Sequence, residues 1–198
     1  MYLIKSGWFP FVQLVGDQLD HLISTNLEEL EITEERILKT FSKEKLTQIT
    51  DNWWRNSIFN SKKKILMAGI NSFIIGDQDN IINCIKNLAS EIEGIIRIDY
   101  HNSFSKEPTT KELKEYITSQ GLKKFSSAGS LGFPGLFFEY LDKSIFEKFN
   151  VTAGEIPISR HSLSHGVTPE SLFTKTRALQ FILTLDQIYF YLGSDRRV

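Results

Sequence analysis

The chain is poor in several things. Among its 198 residues there is one cysteine, Cys84, there are five prolines, and no apolar run is long. A single cysteine excludes an intrachain disulfide. No segment approaches the roughly 20 consecutive apolar residues that a membrane-spanning helix needs. The opening "MYLIKSGWFPFVQLVGDQLD" lacks the basic start and continuous apolar stretch of a secretory leader. The expected location is therefore the reducing cytoplasm, with no membrane partner. Neither sign of charge is in excess: 23 Lys+Arg stand against 24 Asp+Glu, a formal −1. That balance excludes a global field drawing in nucleic acid, so an RNA partner has to be held by a local basic patch. Strand-like alternation is also scarce; "IIRIDY" is the one short candidate, and it can equally finish a helix.

What is present is helical periodicity in a chain of ordinary globular composition, 41% hydrophobic and 24% charged, long enough for one well-buried core. "TEERILKTFSKEKLTQITDNWW" reads as one amphipathic helix, with Thr33 as N-cap and Ile37, Phe41, Leu46, Ile49 and Trp53 on its apolar side. Adjacent Trp53 and Trp54 cannot share a helix face, so one of them is assigned to the core. "SKKKILMAGINSFIIG" and "DQDNIINCIKNLASEIEGIIRIDY" are two more helices joined at Gly76-Asp77, with Asp77 or Asp79 as cap. The second carries a broad stripe of Ile81, Ile82, Ile85, Leu88, Ile92 and Ile95. Cys84 lies within that run and reads as an inert core residue.

"TTKELKEYITSQG" is a short helix ending at Gly121. "GLFFEYLDKSIFEKFN" follows, with Phe137, Tyr140, Leu141, Ile145 and Phe149 on one side. The last element, "TPESLFTKTRALQFILTLDQIYFYL", is expected to start with Thr168 as cap and Pro169 at the first helical position. Its large residues fall on more than one side, which fits either a second burial surface or packing within the chain. The chain is read as all-α, one compact unit with an N-terminal helical extension over residues 1–60.

Few stretches carry chemistry. "SSAGSLGFPG" holds Gly129, Gly132 and Gly135 but follows no strand and lacks the lysine and hydroxyl of a phosphate loop, so it reads as a connector. Lys62 to Lys64 form either a solvated helix start or part of an RNA-holding surface. The densest polar stretch is "ISRHSLSHGVTPE", Ile158 to Glu170. His161 and His165 are four apart and share a helix face, but two ligands do not make a metal site. Ser162 and Ser164 lack a nucleophile elbow.

Arg160 with His165 is left. A helix from Ile158 to His165, between Pro157 and Gly166, sets the two side chains roughly 140° apart. Both meet one phosphate only through arginine's long stem or a second copy of the chain. Arginine offers a charged fork that grips phosphate oxygens in pairs, and histidine moves protons near neutral pH. RNA brings its own nucleophile, the 2′-OH, so these groups suffice without a metal or cofactor.

"RHSLSH" resembles the Arg-x4–6-His motif of the HEPN superfamily, in which a polar residue commonly follows the arginine; Arg160, His161 and His165 fill the three places. "IGDQDNIINCIKNLASEIEGII" is similar to a segment of the same bacterial abortive-infection proteins, a Gly-Asp break followed by an apolar helix ending in Glu-Gly, here Glu93-Gly94. The likeness spans about Lys62 to Leu192. It implies an up-and-down helical bundle over residues 61–198 that often dimerises so that two motifs line one cleft. It also implies metal-independent endoribonuclease activity leaving a 2′,3′-cyclic phosphate, in a toxin or phage-defence setting with an antitoxin or defence partner. Arg160 would hold the scissile phosphate, His165 would act as general base or acid, and His161 would orient the phosphate. Some HEPN domains are inactive and only bind RNA, nucleotides or proteins.

Overall fold

A computed structural model describes residue 4 and residues 6–14, 16–24, 29–124, 132–150, 152 and 156–193. The order is α1 (Asp17–Ser24), α2 (Leu30–Thr40), α3 (Lys43–Trp53), α4 (Ser57–Ser61), α5 (Lys63–Ile75), α6 (Gln78–Phe104), α7 (Thr110–Leu122), α8 (Gly132–Tyr140), α9 (Arg160–Ser164) and α10 (Lys175–Leu192). A π-helical turn, Leu141–Ile145, extends α8, and no strand occurs among the described residues. The chain is an all-α bundle.

Its axis is the pair α6 and α10. α6 packs along α5 on one side and α10 on another, while α10 also touches α2, α3 and α7. Every residue of α10 from Arg177 to Ile188 is buried. A helix buried on all sides lies in the middle of the protein, here with Arg177, Gln180, Thr184, Asp186 and Gln187 buried beside the apolar residues. Leu179, Phe181, Ile182, Leu185 and Ile188 are all spent on this intramolecular packing. The stripe on α6 behaves as its spacing requires: Ile81, Ile85, Leu88, Ile92 and Ile95 are buried and Ile82 packs at the edge. Cys84 is fully buried, and desolvation pushes its thiol up to about 12.

The N-terminal segment joins the same core. Trp8, Phe9, Phe11 and Leu14 are buried in one cluster with α10 residues, and Phe9 and Phe11 pack against Tyr140. Polar contacts fix its path. The Val12 amide donates to Gln187 Oε1 at 3.0 Å, Gln180 Nε2 donates to the Ser6 carbonyl at 3.1 Å, and Ser144 Oγ donates to the Ile4 carbonyl at 3.0 Å.

Several expected boundaries move, each because a cap or a tertiary hydrogen bond wins over periodicity. The single helix expected from Thr33 to Trp54 is two, α2 and α3. Ser42 is extended (φ −63°, ψ 169°) and its side chain accepts from the Lys45 amide, starting a new helix. Thr33 is not a cap; it is buried inside α2. The last long helix begins at Lys175, capped by Thr174, and not at Thr168-Pro169, where only a 3-10 turn forms over Glu170–Leu172. The helix expected to run to Phe149 stops at Ile145, where the Ser144 carbonyl is taken by the Arg177 guanidinium. Asp77 caps α6 as expected, by accepting from the Asn80 amide. Trp53 is the core member of its pair, while the Lys63 ammonium stands 4.9 Å from the ring of Trp54.

A carboxylate on α10, Asp186, is buried. Asp186 accepts from Trp53 Nε1 at 2.7 Å and from Gln13 Nε2 at 2.8 Å, and the charge of Lys45 acts on it more weakly. Desolvation raises its pKa, and those two hydrogen bonds only partly oppose the rise. A raised acid binds its proton more tightly folded than unfolded, so its burial costs stability as pH climbs through the folded pKa. Asp186→Asn keeps the acceptor for Trp53 and removes the titration. In urea melts the stability gap between wild type and Asp186→Asn should shift in favour of wild type on going from about pH 7 to about pH 4.5. A gap independent of pH would refute this assignment.

Candidate active site

α9 is five residues long, and serines define it. Ser159 is extended (φ −127°, ψ 165°) and its hydroxyl accepts from the Ser162 amide at 3.3 Å. In return Ser162 Oγ accepts from the Ser159 amide at 3.0 Å, a reciprocal cap that satisfies two orphan N–H groups. Ser159 Oγ donates to the Glu147 carbonyl at 2.8 Å, and Thr168 Oγ1 donates to Ser162 Oγ at 3.0 Å. The helix therefore starts at Arg160, two residues later than the expected start at Ile158. The Ile158 carbonyl is unavailable to it, because Arg177 NH2 donates there at 2.8 Å. At the other end Gly166 has φ +68°, a left-handed conformation that a Cβ would strain, and its amide closes on the Leu163 carbonyl at 3.2 Å.

This short helix rests on α6. Arg160 Nε lies 2.6 Å from Glu93 Oε2, and Arg97 NH2 donates to Glu93 Oε1 at 2.7 Å. The Arg160 contact is an ion pair without an aligned hydrogen bond, for neither Nε nor Oε2 has a hydrogen-bond partner. Glu93 is buried, whereas the Arg160 side chain is 32% exposed. Arg97 divides itself further, donating to the Pro108 carbonyl and to Glu107. The Glu-Gly pair singled out in the sequence and the arginine of the motif thus meet in space, through Glu93.

The two histidines face elsewhere. His161 is half-buried and lines a groove of about 630 Å³ with the start of α7, Lys114, Asp142 and Lys148. Desolvation lowers its pKa first and the neighbouring Arg160 charge lowers it further, against an opposing pull from Glu93. The imidazole is accordingly neutral near pH 7 and able to accept a proton. His165 is exposed at the end of α9, its ring 5.4 Å from that of Phe149. Its amide donates to the His161 carbonyl at 3.1 Å, which sets the two histidines on neighbouring positions of one turn. Within one chain, then, Arg160 is turned onto α6 while His161 is turned into the groove.

Other candidates separate from this place. Lys62 is held by Glu91 at 2.5 Å and Lys63 by Trp54, so the lysine run is partly structural. Gly129 lies outside the described residues. Among the described residues no three His, Cys, Asp or Glu side chains converge as a metal ion would require. Sequence reasoning missed Arg97 and the Ser159–Ser162 cap. The spacing of two serines three apart just before a polar turn is the signal that was there to find. No protein-family model matches the chain, and neither the curated proteins nor the solved structures searched contain a similar one.

Removing Glu93 leaves Arg160 without its acid and Arg97 with only the exposed Glu107. Glu93→Ala should cost about 2 kcal/mol, between the values for exposed and for fully buried ion pairs. Urea denaturation measures it, with Glu93→Gln losing less. A cost within error of zero would mean that Glu93 does not anchor α9.

Proposed function

We propose that the chain is a metal-independent endoribonuclease of HEPN type, cytoplasmic, acting on RNA through Arg160, His161 and His165. One observation carries the reading: the serines cap the helix in "SRHSLSH", while the arginine, tied to Glu93 through Nε, and both histidines are presented at or near the surface. The histidines and the terminal N–H groups of the arginine are left to engage a ligand.

In this reading Arg160 grips the scissile phosphate, with Glu93 as the group that sets its rotamer. The fork's terminal N–H groups make no hydrogen bond among the described residues and are the ones offered to phosphate oxygens. A neutral histidine takes the proton of the 2′-OH, which attacks the adjacent phosphorus. The 5′-oxygen leaves with a proton from the other histidine, giving a 2′,3′-cyclic phosphate. Arg160 is drawn onto Glu93 while His161 lines the groove close enough to feel the arginine's charge, and a second copy would complete the set, the arginine of one chain serving beside the histidines of the other. A homodimer is part of the proposal, and an antitoxin or defence-system partner would restrain it.

A second reading is a non-catalytic HEPN-like module that binds RNA or a protein. The Arg160–Glu93 ion pair favours it, because it already gives the arginine a partner.

The two separate in one assay. Purified protein is incubated with total RNA in EDTA, beside Arg160→Ala and His165→Ala, with folding checked by circular dichroism. The ribonuclease predicts cleavage to cyclic-phosphate ends, reduced at least about 100-fold in each variant. Equal inertness of all three proteins in dimeric form would favour the module.

A further inference from the structure

We propose that a small pocket beside His165 takes a guanine base of the RNA strand, read by Glu170 and Lys86. The site depends on the reading of the motif as one that handles RNA. The pocket has a volume of about 230 Å³, between Ile82 and Lys86 of α6, Leu163 and Gly166 of the motif, and Glu170 and Phe173 beyond it. It is smaller than the roughly 300 Å³ at which pockets for whole small molecules begin, which suits a single base without its sugar and phosphate.

The fold ties this pocket to the motif. Leu163 lies in α9, and Gly166 directly follows His165. The far wall is the stretch from Thr168 to Phe173, which is fixed at both ends. Thr168 Oγ1 donates to Ser162 Oγ at 3.0 Å, and the Phe173 carbonyl accepts from Gln78 Nε2 at 3.2 Å. On α6, Lys86 and Glu93 stand seven residues apart, so they share a helix face about 10 Å apart along the axis. Glu93 is the residue that holds Arg160. A base in the pocket and a phosphate at Arg160 therefore belong to the same short stretch of strand.

The lining sets the class of ligand. Ile82, Leu163 and Phe173 give an apolar seat for a flat ring, and two exposed side chains of opposite charge, Glu170 and Lys86, share the same pocket. The Lys86 ammonium stands 5.9 Å from the Phe173 ring, and no ion pair joins it to Glu170. An acid and a cation that share a pocket without pairing offer two acceptor oxygens and a donor to a third group. The Watson–Crick edge of guanine is the match: two neighbouring donors, N1–H and the N2 amino group, followed by the acceptor O6. Glu170 accepts from N1 and N2 together, and Lys86 donates to O6. Adenine, cytosine and uracil each present a single donor group on that edge, so the carboxylate is left half-satisfied.

Fluorescein-labelled 2′-O-methyl pentamers lack the attacking hydroxyl, so fluorescence anisotropy reads their binding to the full chain without cleavage. UUGUU should bind at least about tenfold tighter than UUAUU, UUCUU or UUUUU. Inosine in place of guanine, which lacks the N2 amino group, should lose about fivefold. Glu170→Gln and Lys86→Ala, both exposed changes, should each bring the preference for guanine down to about twofold or less. Arg160→Ala should weaken all pentamers alike and keep the preference. Amide shifts specific to UUGUU should fall at Lys86, Gly166 and Phe173. Equal binding of the pentamers, binding of none, or a guanine preference that survives Glu170→Gln overturns the pocket. Guanine-selective binding with no cleavage of natural RNA would keep the pocket and remove the ribonuclease. Cleavage without regard to base, with equal binding of the pentamers, would do the reverse.

Discussion

The guanidinium of Arg177 lies under the point where three distant segments meet. From the third position of α10 it holds the Ser144 carbonyl at the end of the π-helical turn, the Ile158 carbonyl just before the motif, and Gln180 one turn along its own helix. Gln180 in turn holds the N-terminal segment through the Ser6 carbonyl. The planar fork makes this possible, since its donors diverge at fixed angles and reach separate backbones without rearrangement. Desolvation lowers the pKa of the group, as it must for a cation so deeply placed, and the ring of Phe181 at 4.9 Å offers the guanidinium a face to rest on.

From that contact the geometry of the motif follows. With its carbonyl engaged, Ile158 stays out of the helix, Ser159 becomes the cap, and Arg160 becomes the first helical residue. A helix of so few turns has little stability of its own. It is held instead by the serine cap, by Thr168 and by the ion pair from Arg160 to Glu93. The arginine is thus oriented by α6 and the histidines by α9. Any chemistry that needs all three depends on how these two elements are docked.

How much of this was legible beforehand depends on the range of the interaction. Helices whose burial is set by spacing, such as the isoleucine stripe of α6, could be read directly, as could the Asp77 cap and the left-handed Gly166. The break at Phe41-Ser42 and the late start of α10 at Thr174 could not. Thr168 and Thr174 are equally good caps by composition; Thr174 takes the Arg177 amide, while the Thr168 hydroxyl is engaged by Ser162 Oγ. Glu93 was visible as part of a likeness, but its contact with Arg160 was not, because nothing in the pattern says which arginine a buried acid will meet.

By itself, then, the sequence determined the helical class, the buried faces and the concentration of phosphate-binding and proton-moving groups in one short stretch, all of them consequences of local periodicity and side-chain chemistry. Only the tertiary structure decided that Arg160 turns to Glu93 while His161 lines a groove, and that Arg177 is buried against the Ser144 and Ile158 carbonyls with the Glu147 carboxylate acting on its charge. The reason is that ion pairs and buried charges are satisfied through space, by groups that are neighbours only once the core has brought α6, α9 and α10 together.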